Sequence, residues 1–302
     1  MLSRTADHLF WMARYMERAE NTARMLDVNY QASLMPQSAE DTEKGWKGLL
    51  GISELTGDFA GRYGGVTPDA VMRYMVSDAE NGSSIRNCLQ AARENARAVR
   101  GTLTTEVWET QNQTWLEFQR MVSNESFLRD PSTLFEWVKF RSHLSRGVTV
   151  GTMLQDEAFH FLRIGSFLER ADNTARLLDV KFHAVESEYH GFQTQSQNGE
   201  GPATRDIEVD FYHWSGILRS VSGFEVYRKA YRNVIRPEKV AELLILRADM
   251  PRSLAACMQE VVTNLKMVAN EQSTETLRRA GRLQADLQYG RIDEILATGL
   301  HA

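Results

Sequence analysis

The stretch ERAENTARMLDV occupies residues 17–28, and ERADNTARLLDV occupies residues 169–180; ten of the twelve positions agree across a separation of 152 residues. No other feature of the chain constrains its fold as tightly. A unit written twice in one polypeptide usually buries its matching faces against each other about an approximate twofold axis. Later landmarks continue the pattern. Trp46-x-x-Leu49-Leu50 answers Trp214-x-x-Ile217-Leu218 at a spacing of 168, while Pro68, Ser84 and Cys88 answer Pro237, Ser253 and Cys257 at 169. The longer spacing reflects extra residues in the second copy, which the Gly-, Gln- and Ser-rich segment 191–205 supplies as a flexible surface loop.

The hydrophobic period is helical throughout. Leu9, Met12, Met16, Ala19, Ala23 and Leu26 fall at steps of three and four, and Phe161, Ile164, Leu168, Ala171, Ala175 and Leu178 repeat the stripe. No stretch alternates long enough to compete as a strand. Thr67-Pro68 and Asp130-Pro131 each read as an N-cap followed by proline at the first helical position. The expected helices include 46–58, 131–145, 154–190, 206–222 and an unbroken 273–297. The predicted fold class is all-α: an internally duplicated helical bundle with pseudo-twofold related halves. One domain is expected over 1–302, with repeats at approximately 1–100 and 153–270. Helices in 104–145 lie between them without a second-copy partner.

Charge and composition exclude several classes of function. A net charge of −5 gives no global field for nucleic acid or an anionic membrane surface. No run approaches the roughly eighteen apolar residues of a membrane span, so no membrane partner is expected. Two cysteines without CxxC or metal-type spacing suit a reducing compartment, and the N-terminus lacks a signal-peptide core, so the chain reads as cytoplasmic.

Two charged constellations stand out. Glu17, Glu20, Asn21, Arg24 and Asp27 share one helical stripe, reproduced by Glu169, Asp172, Asn173, Arg176 and Asp179. The residues Glu17, Glu20, Arg24, Glu169, Asp172 and Arg176 are candidates for a polar pocket in which carboxylates share a proton or hold a metal. The simpler reading is an interhelix salt-bridge network that fixes register. Arg86, Arg93, Arg97 and Arg100 form a basic row beside Glu94, Glu106 and Glu109, and the second copy does not keep it. Such a row suits a phosphate or an acidic partner segment; a solvated face paired with nearby acids is the plainer account. Glu157-x-x-His160 is one half of a di-metal helical motif, but Thr5 stands where the second copy of the pair needs a glutamate beside His8. Metal is therefore a weak candidate and no cofactor is expected. The aromatics Phe10, Trp11 and Tyr15 cannot share one narrow stripe, which leaves a homo-oligomer contact open.

The paired ERAENTAR and ERADNTAR stretches, with SSIRNCLQAARENARAVRGTLTTEVWE at 83–109, resemble the bacterial α-E domain family. The helix-borne glutamates would then be Glu17, Glu20, Glu94, Glu106, Glu109 and Glu169. The resemblance implies partners: a circularly permuted ATP-grasp protein and a transglutaminase-like protease encoded nearby, hence a peptide-ligating or amide-forming system. On this basis the expected function is that of a non-catalytic accessory or scaffold protein. Two alternatives belong to other classes: a helical enzyme using paired acids on a peptide or amide, and a metal-binding bundle.

Overall fold

The computed structural model describes residues 1–193, 213–232 and 234–298, with the backbone alone described over 181–193 and at 298. Among these residues every regular element is a helix. The order is α1 (Ser3–Ser33), α2 (Ala39–Ile52), α3 (Thr56–Arg62), α4 (Pro68–Val76), α5 (Ile85–Ala98), α6 (Thr105–Val122), α7 (Pro131–Thr152) and α8 (Glu157–Gln193). There follow α9, described over 213–220, then α10 (Phe224–Tyr231), α11 (Pro237–Ile245), α12 (Leu254–Met267), α13 (Thr274–Tyr289) and α14 (Ile292–Thr298).

The proline-marked starts are capped as their sequence predicts. The Thr67 side chain accepts from the Ala70 N–H, and Asp130 accepts from the Thr133 N–H. Pro68 and Pro131 occupy the first helical turn, where a missing N–H costs nothing. Helices α4 and α11 lie 169 residues apart at both ends, as do α5 and α12. The α5 and α12 starts are built alike. Ser84 and Ser253 each cap their helix, and each hydroxyl donates to an upstream carbonyl, of Asp78 at 2.8 Å and Arg247 at 2.6 Å. Glu54 and Ser222, in the connections after α2 and α9, both have positive φ, at 57° and 53°.

Several helix boundaries differ from expectation, each for a physical reason. The helix expected at 46–58 is two: α2 begins at Ala39, and the left-handed Glu54 separates it from α3. Residues 39–45 contain no large apolar side chain, so periodicity is silent there. The signals were the Ser38 cap on the Asp41 N–H and the acidic first turn of Glu40 and Asp41. Helix α7 runs to Thr152 rather than 145, because packing of Ser145 and Thr149 overrides the weak propensity of a Gly- and Val-rich end. The expected 273–297 helix breaks at Gly290, where a Cβ would lie 2.6 Å from the Asp286 carbonyl oxygen. Helix α8 continues through Gln193, so the first residues of the expected 191–205 loop are helical; its remainder, with residues 206–212 of the next expected helix, falls outside the described residues.

Helix α1 is the hub, packing against α8, α5 and α7; α12 packs on α8, α6 bridges α5 and α7, and α13 packs on α12. The contact between α1 and α8 is very close at Gly165, where a Cβ would meet the Phe10 carbonyl oxygen at 2.3 Å. Glycine is needed there to let two backbones touch. The main core lies toward one end of this pair and holds Trp46, Trp214, Tyr74 and Tyr227, all almost fully buried. A second cluster, including Leu9, Met12, Phe159 and Leu162, closes the other end. On α1 and α8 the buried acids Glu17, Glu20 and Glu169 interrupt this apolar packing.

Candidate functional site: a crossed glutamate and arginine lock

Consecutive residues on a helix point about 100° apart, so an adjacent Glu and Arg offer opposite charges in two directions. Helices α1 and α8 each carry such a dipeptide, and the two dipeptides clasp each other. Arg18 donates from Nε and Nη2 to the two oxygens of Glu169, at 2.6 and 3.0 Å. Arg170 donates from the same two nitrogens to the two oxygens of Glu17, at 2.9 and 3.0 Å. Both carboxylates are buried, Glu17 at 1% and Glu169 at 4% exposure. Two-point geometry of this kind is the strongest form of the Arg–carboxylate bond.

Different neighbours complete the two ends of the lock. Helix α7 covers the Glu17 end, where Arg146 Nη1 donates to Glu17 at 2.8 Å and to Glu20 at 2.5 Å. Ser142 donates to Glu20 at 2.7 Å. From the start of α12, Arg252 reaches Glu20 at 2.5 Å and Asn21 at 2.8 Å, and lies 3.1 Å from Glu17. Arg24 adds the local i,i+4 bond to Glu20, 2.7 Å from Nη2. At the other end Arg14 donates to Glu169 at 2.6 Å, while Arg176 bonds Asp172 at 3.2 Å and Glu54 at 2.6 Å.

Burial alone pushes the Glu17 carboxyl upward; the charges of Arg170 and Arg252 outweigh it and hold the group below the ordinary carboxylate range. Burial acts likewise on Glu20, but the hydrogen bond with His143 and the charges of Arg252, Arg146 and Arg24 take it well below. Both acids are firmly ionised. Burial pulls the Arg170 guanidinium down, yet the Glu17 charge and hydrogen bond raise it overall.

The six residues singled out for one polar pocket divide between these two ends. Glu17, Glu20 and Arg24 lie at the α7-covered end; Glu169, Asp172 and Arg176 lie at the other. Two cavities flank the lock. One, of about 240 Å³, lies between α1, α7 and α8 beside Glu17, Arg146 and Arg170. The other, of about 220 Å³, lies beside Arg18, Ser83, Asp172 and Arg176. Sequence reading overlooked Arg18, Arg170, Arg146 and Arg252. The repetition of Glu-Arg as a dipeptide was the available signal for the first two.

The basic row on α5 lies apart from the lock. Arg93 bonds Asn112 at 2.8 Å and Glu94 at 2.5 Å, and Arg97 pairs with Glu94 at 2.6 Å. Arg86 reaches the Ser77 carbonyl at 3.4 Å, and Arg100 lies over the Trp108 ring. Glu106 and Glu109 are exposed. Glu157 is at the surface against the Met1 amino group, whereas His160 is buried with Nδ1 2.8 Å from Asn264 Oδ1, so the two do not converge. Among the described residues no three His, Cys, Asp or Glu side chains gather as a metal site, and no helix is long and apolar enough to cross a membrane.

The Alpha-E family model, described as a predicted alpha-helical domain with a conserved ER motif, matches residues 1–302. The chain is also 24% identical over 328 residues to the uncharacterized protein Rv2567 of Mycobacterium tuberculosis and to the uncharacterized protein Mb2597 of Mycobacterium bovis. Each match covers 99% of this chain and 34% of the relative, so the chain spans about a third of the length of the curated relatives it matches. No solved structure matches it. The ER motif of that description is found here twice, as Glu17-Arg18 and Glu169-Arg170, each half of one interhelical clasp. With the family model matching from the first residue to the last, the chain belongs to the Alpha-E family.

Proposed function

We propose that this chain is a non-catalytic helical scaffold serving an ATP-grasp-linked peptide- or amide-ligating system, with a circularly permuted ATP-grasp protein as its partner. The observation that carries this reading is the state of the motif acids. A general acid or base near neutral pH needs a carboxyl raised toward 7. Glu17 and Glu20 are displaced the other way and clamped by arginines, which suits a structural anion and disfavours the paired-acid enzyme. The length of the curated relatives adds support, since in them the matched region is one part of a chain about three times longer. A domain carried that way works alongside another unit.

The architecture behind the scaffold is, in this reading, an internal duplication whose halves are related by an approximate twofold axis within a single domain. The contacts Glu17–Arg170 and Arg18–Glu169 are reciprocal between equivalent positions, the signature of an isologous interface. His8–Asn95 at 2.7 Å and His160–Asn264 at 2.8 Å are one contact made within each half and repeated at equivalent positions. The repeat extends further than residue 100, since α6 and α13 start 169 residues apart; α7 is then the element without a counterpart.

Co-purification of the full chain with an ATP-grasp protein encoded beside it tests the scaffold. Native protein should co-purify, and Arg93→Ala with Arg97→Ala should weaken the association if the α5 row is the contact. Absence of native co-purification overturns the reading.

A further inference from the structure

The two ends of the lock differ in charge balance. At the end away from α7, among the described residues, three acids (Glu54, Glu169, Asp172) meet three arginines (Arg14, Arg18, Arg176). At the α7-covered end two acids, Glu17 and Glu20, meet four arginines: Arg24, Arg146, Arg170 and Arg252. Among the described residues these four pair with no other acid. Their side chains are 11%, 27%, 9% and 8% exposed. An excess of cations this deeply set is costly to leave unmatched. Arg252 registers the imbalance: burial lowers it, Glu17 and Glu20 offset this only in part, and the charges of Arg170 and Arg24 lower it further.

The unmatched charge has a cavity beside it and a donor edge available. Arg18 and Arg170 both grip their carboxylates through the side-on edge formed by Nε and Nη2. Arg146 makes its bonds to Glu17, Glu20 and Ser142 through Nη1 alone. Its side-on edge has no protein acceptor among the described residues, and Arg146 lines the cavity of about 240 Å³. Met12, Met16, Leu162 and Phe167 give that cavity an apolar wall, and Arg163, stacked 4.5 Å from the Phe167 ring centroid, is matched by Glu260 at 2.8 Å and adds no net charge. Two of the lining hydroxyls are already committed: Ser142 donates to Glu20 and Thr149 to the Ser145 carbonyl. Few donors remain for the several oxygens of a phosphate, whereas one planar fork matches one carboxylate.

We infer that this cavity binds a small carboxylate with a short apolar body, gripped by the free edge of Arg146 and seated against Met16 and Phe167. The space suits a ring-sized body, since a cavity of roughly 150 Å³ already accepts benzene. This site does not depend on the scaffold reading, and its test involves no partner protein.

Isothermal titration of the full chain with benzoate, neutral benzamide and inorganic phosphate tests it. Benzoate should bind saturably at one site, about tenfold or more tighter than benzamide or phosphate. Arg146→Lys keeps a charge for Glu17 and Glu20 but removes the fork, so affinity for benzoate should fall about tenfold with the thermal midpoint nearly unchanged. Ser166→Phe, which fills the cavity from α8, should abolish binding. Absence of saturable benzoate binding to native protein in the millimolar range overturns the inference. So does benzamide or phosphate binding as tightly as benzoate, or native affinity in both folded variants.

Discussion

Arg170 reaches across from α8 to hold both carboxylate oxygens of Glu17 on α1, and neither side chain is more than a tenth exposed. Removing one partner of such a buried pair leaves a charge stranded, which costs more than the pair itself contributes. Glu17→Leu, which leaves the buried Arg170 without its acid, should therefore destabilise the fold by about 3–5 kcal/mol in urea melts. Arg18→Met should cost less, about 1–2 kcal/mol, because Glu169 keeps Arg14. Equal losses would show that Arg14 does not compensate.

Stability should depend on pH through the same carboxylates. The folded-state pKa values of Glu17 and Glu20 lie below the unfolded value, so the unfolded chain takes up protons first as pH falls. Their stabilisation is complete above about pH 4.5, near the free glutamate value, and is lost as pH drops through the depressed folded values. Thermal midpoints should stay flat between neutral pH and that point, then fall steeply. Glu20→Gln should lower the midpoint at neutral pH and flatten the acid limb. An unchanged acid limb in this variant would assign the acid transition to other groups.

Two glycines should respond in opposite directions to alanine. At Gly165 the new methyl would press on the Phe10 carbonyl oxygen, a backbone atom that cannot swing aside, and would part α1 from α8. A loss of about 3 kcal/mol or more is expected. At Gly147, in α7 and exposed, nothing lies within 4 Å of the added atom. Alanine there should stabilise by up to about 1 kcal/mol through helix propensity alone. Denaturant midpoints compare the two directly.

The thiols should be silent in the native protein. Burial raises Cys88 and Cys257 to about 12, with only partial relief from nearby guanidinium charges. At pH 8 almost no thiolate exists to attack a disulfide reagent. Neither cysteine should be labelled before unfolding and both should be labelled after; fast labelling of a folded sample would contradict this packing.

Much of the helical plan was legible in the sequence because it is local. The i,i+4 partners Glu20–Arg24 and Asp172–Arg176, the caps at Thr67 and Asp130, and the buried stripe of α1 are all encoded within a few residues. The lock was half legible. Its acids stood out in a repeated stripe, while the adjacent arginines fall off that stripe, and their acceptors lie about 150 residues away. Arg252 and Arg146 carried no repetition signal: Ser83 stands 169 positions before Arg252, and Arg146 belongs to α7. What contacts what over such separations depends on assembly, which a one-dimensional period does not record.

One consequence follows from how the clasp is wired. Each helix contributes both a key and a keyhole on neighbouring residues, so sliding α1 along α8 by a turn, about 5.4 Å, would unseat both at once. The pair has a single admissible alignment. The same wiring makes the dipeptide self-complementary: what each Glu-Arg offers is what the other lacks, so one short word of sequence serves both sides of the joint.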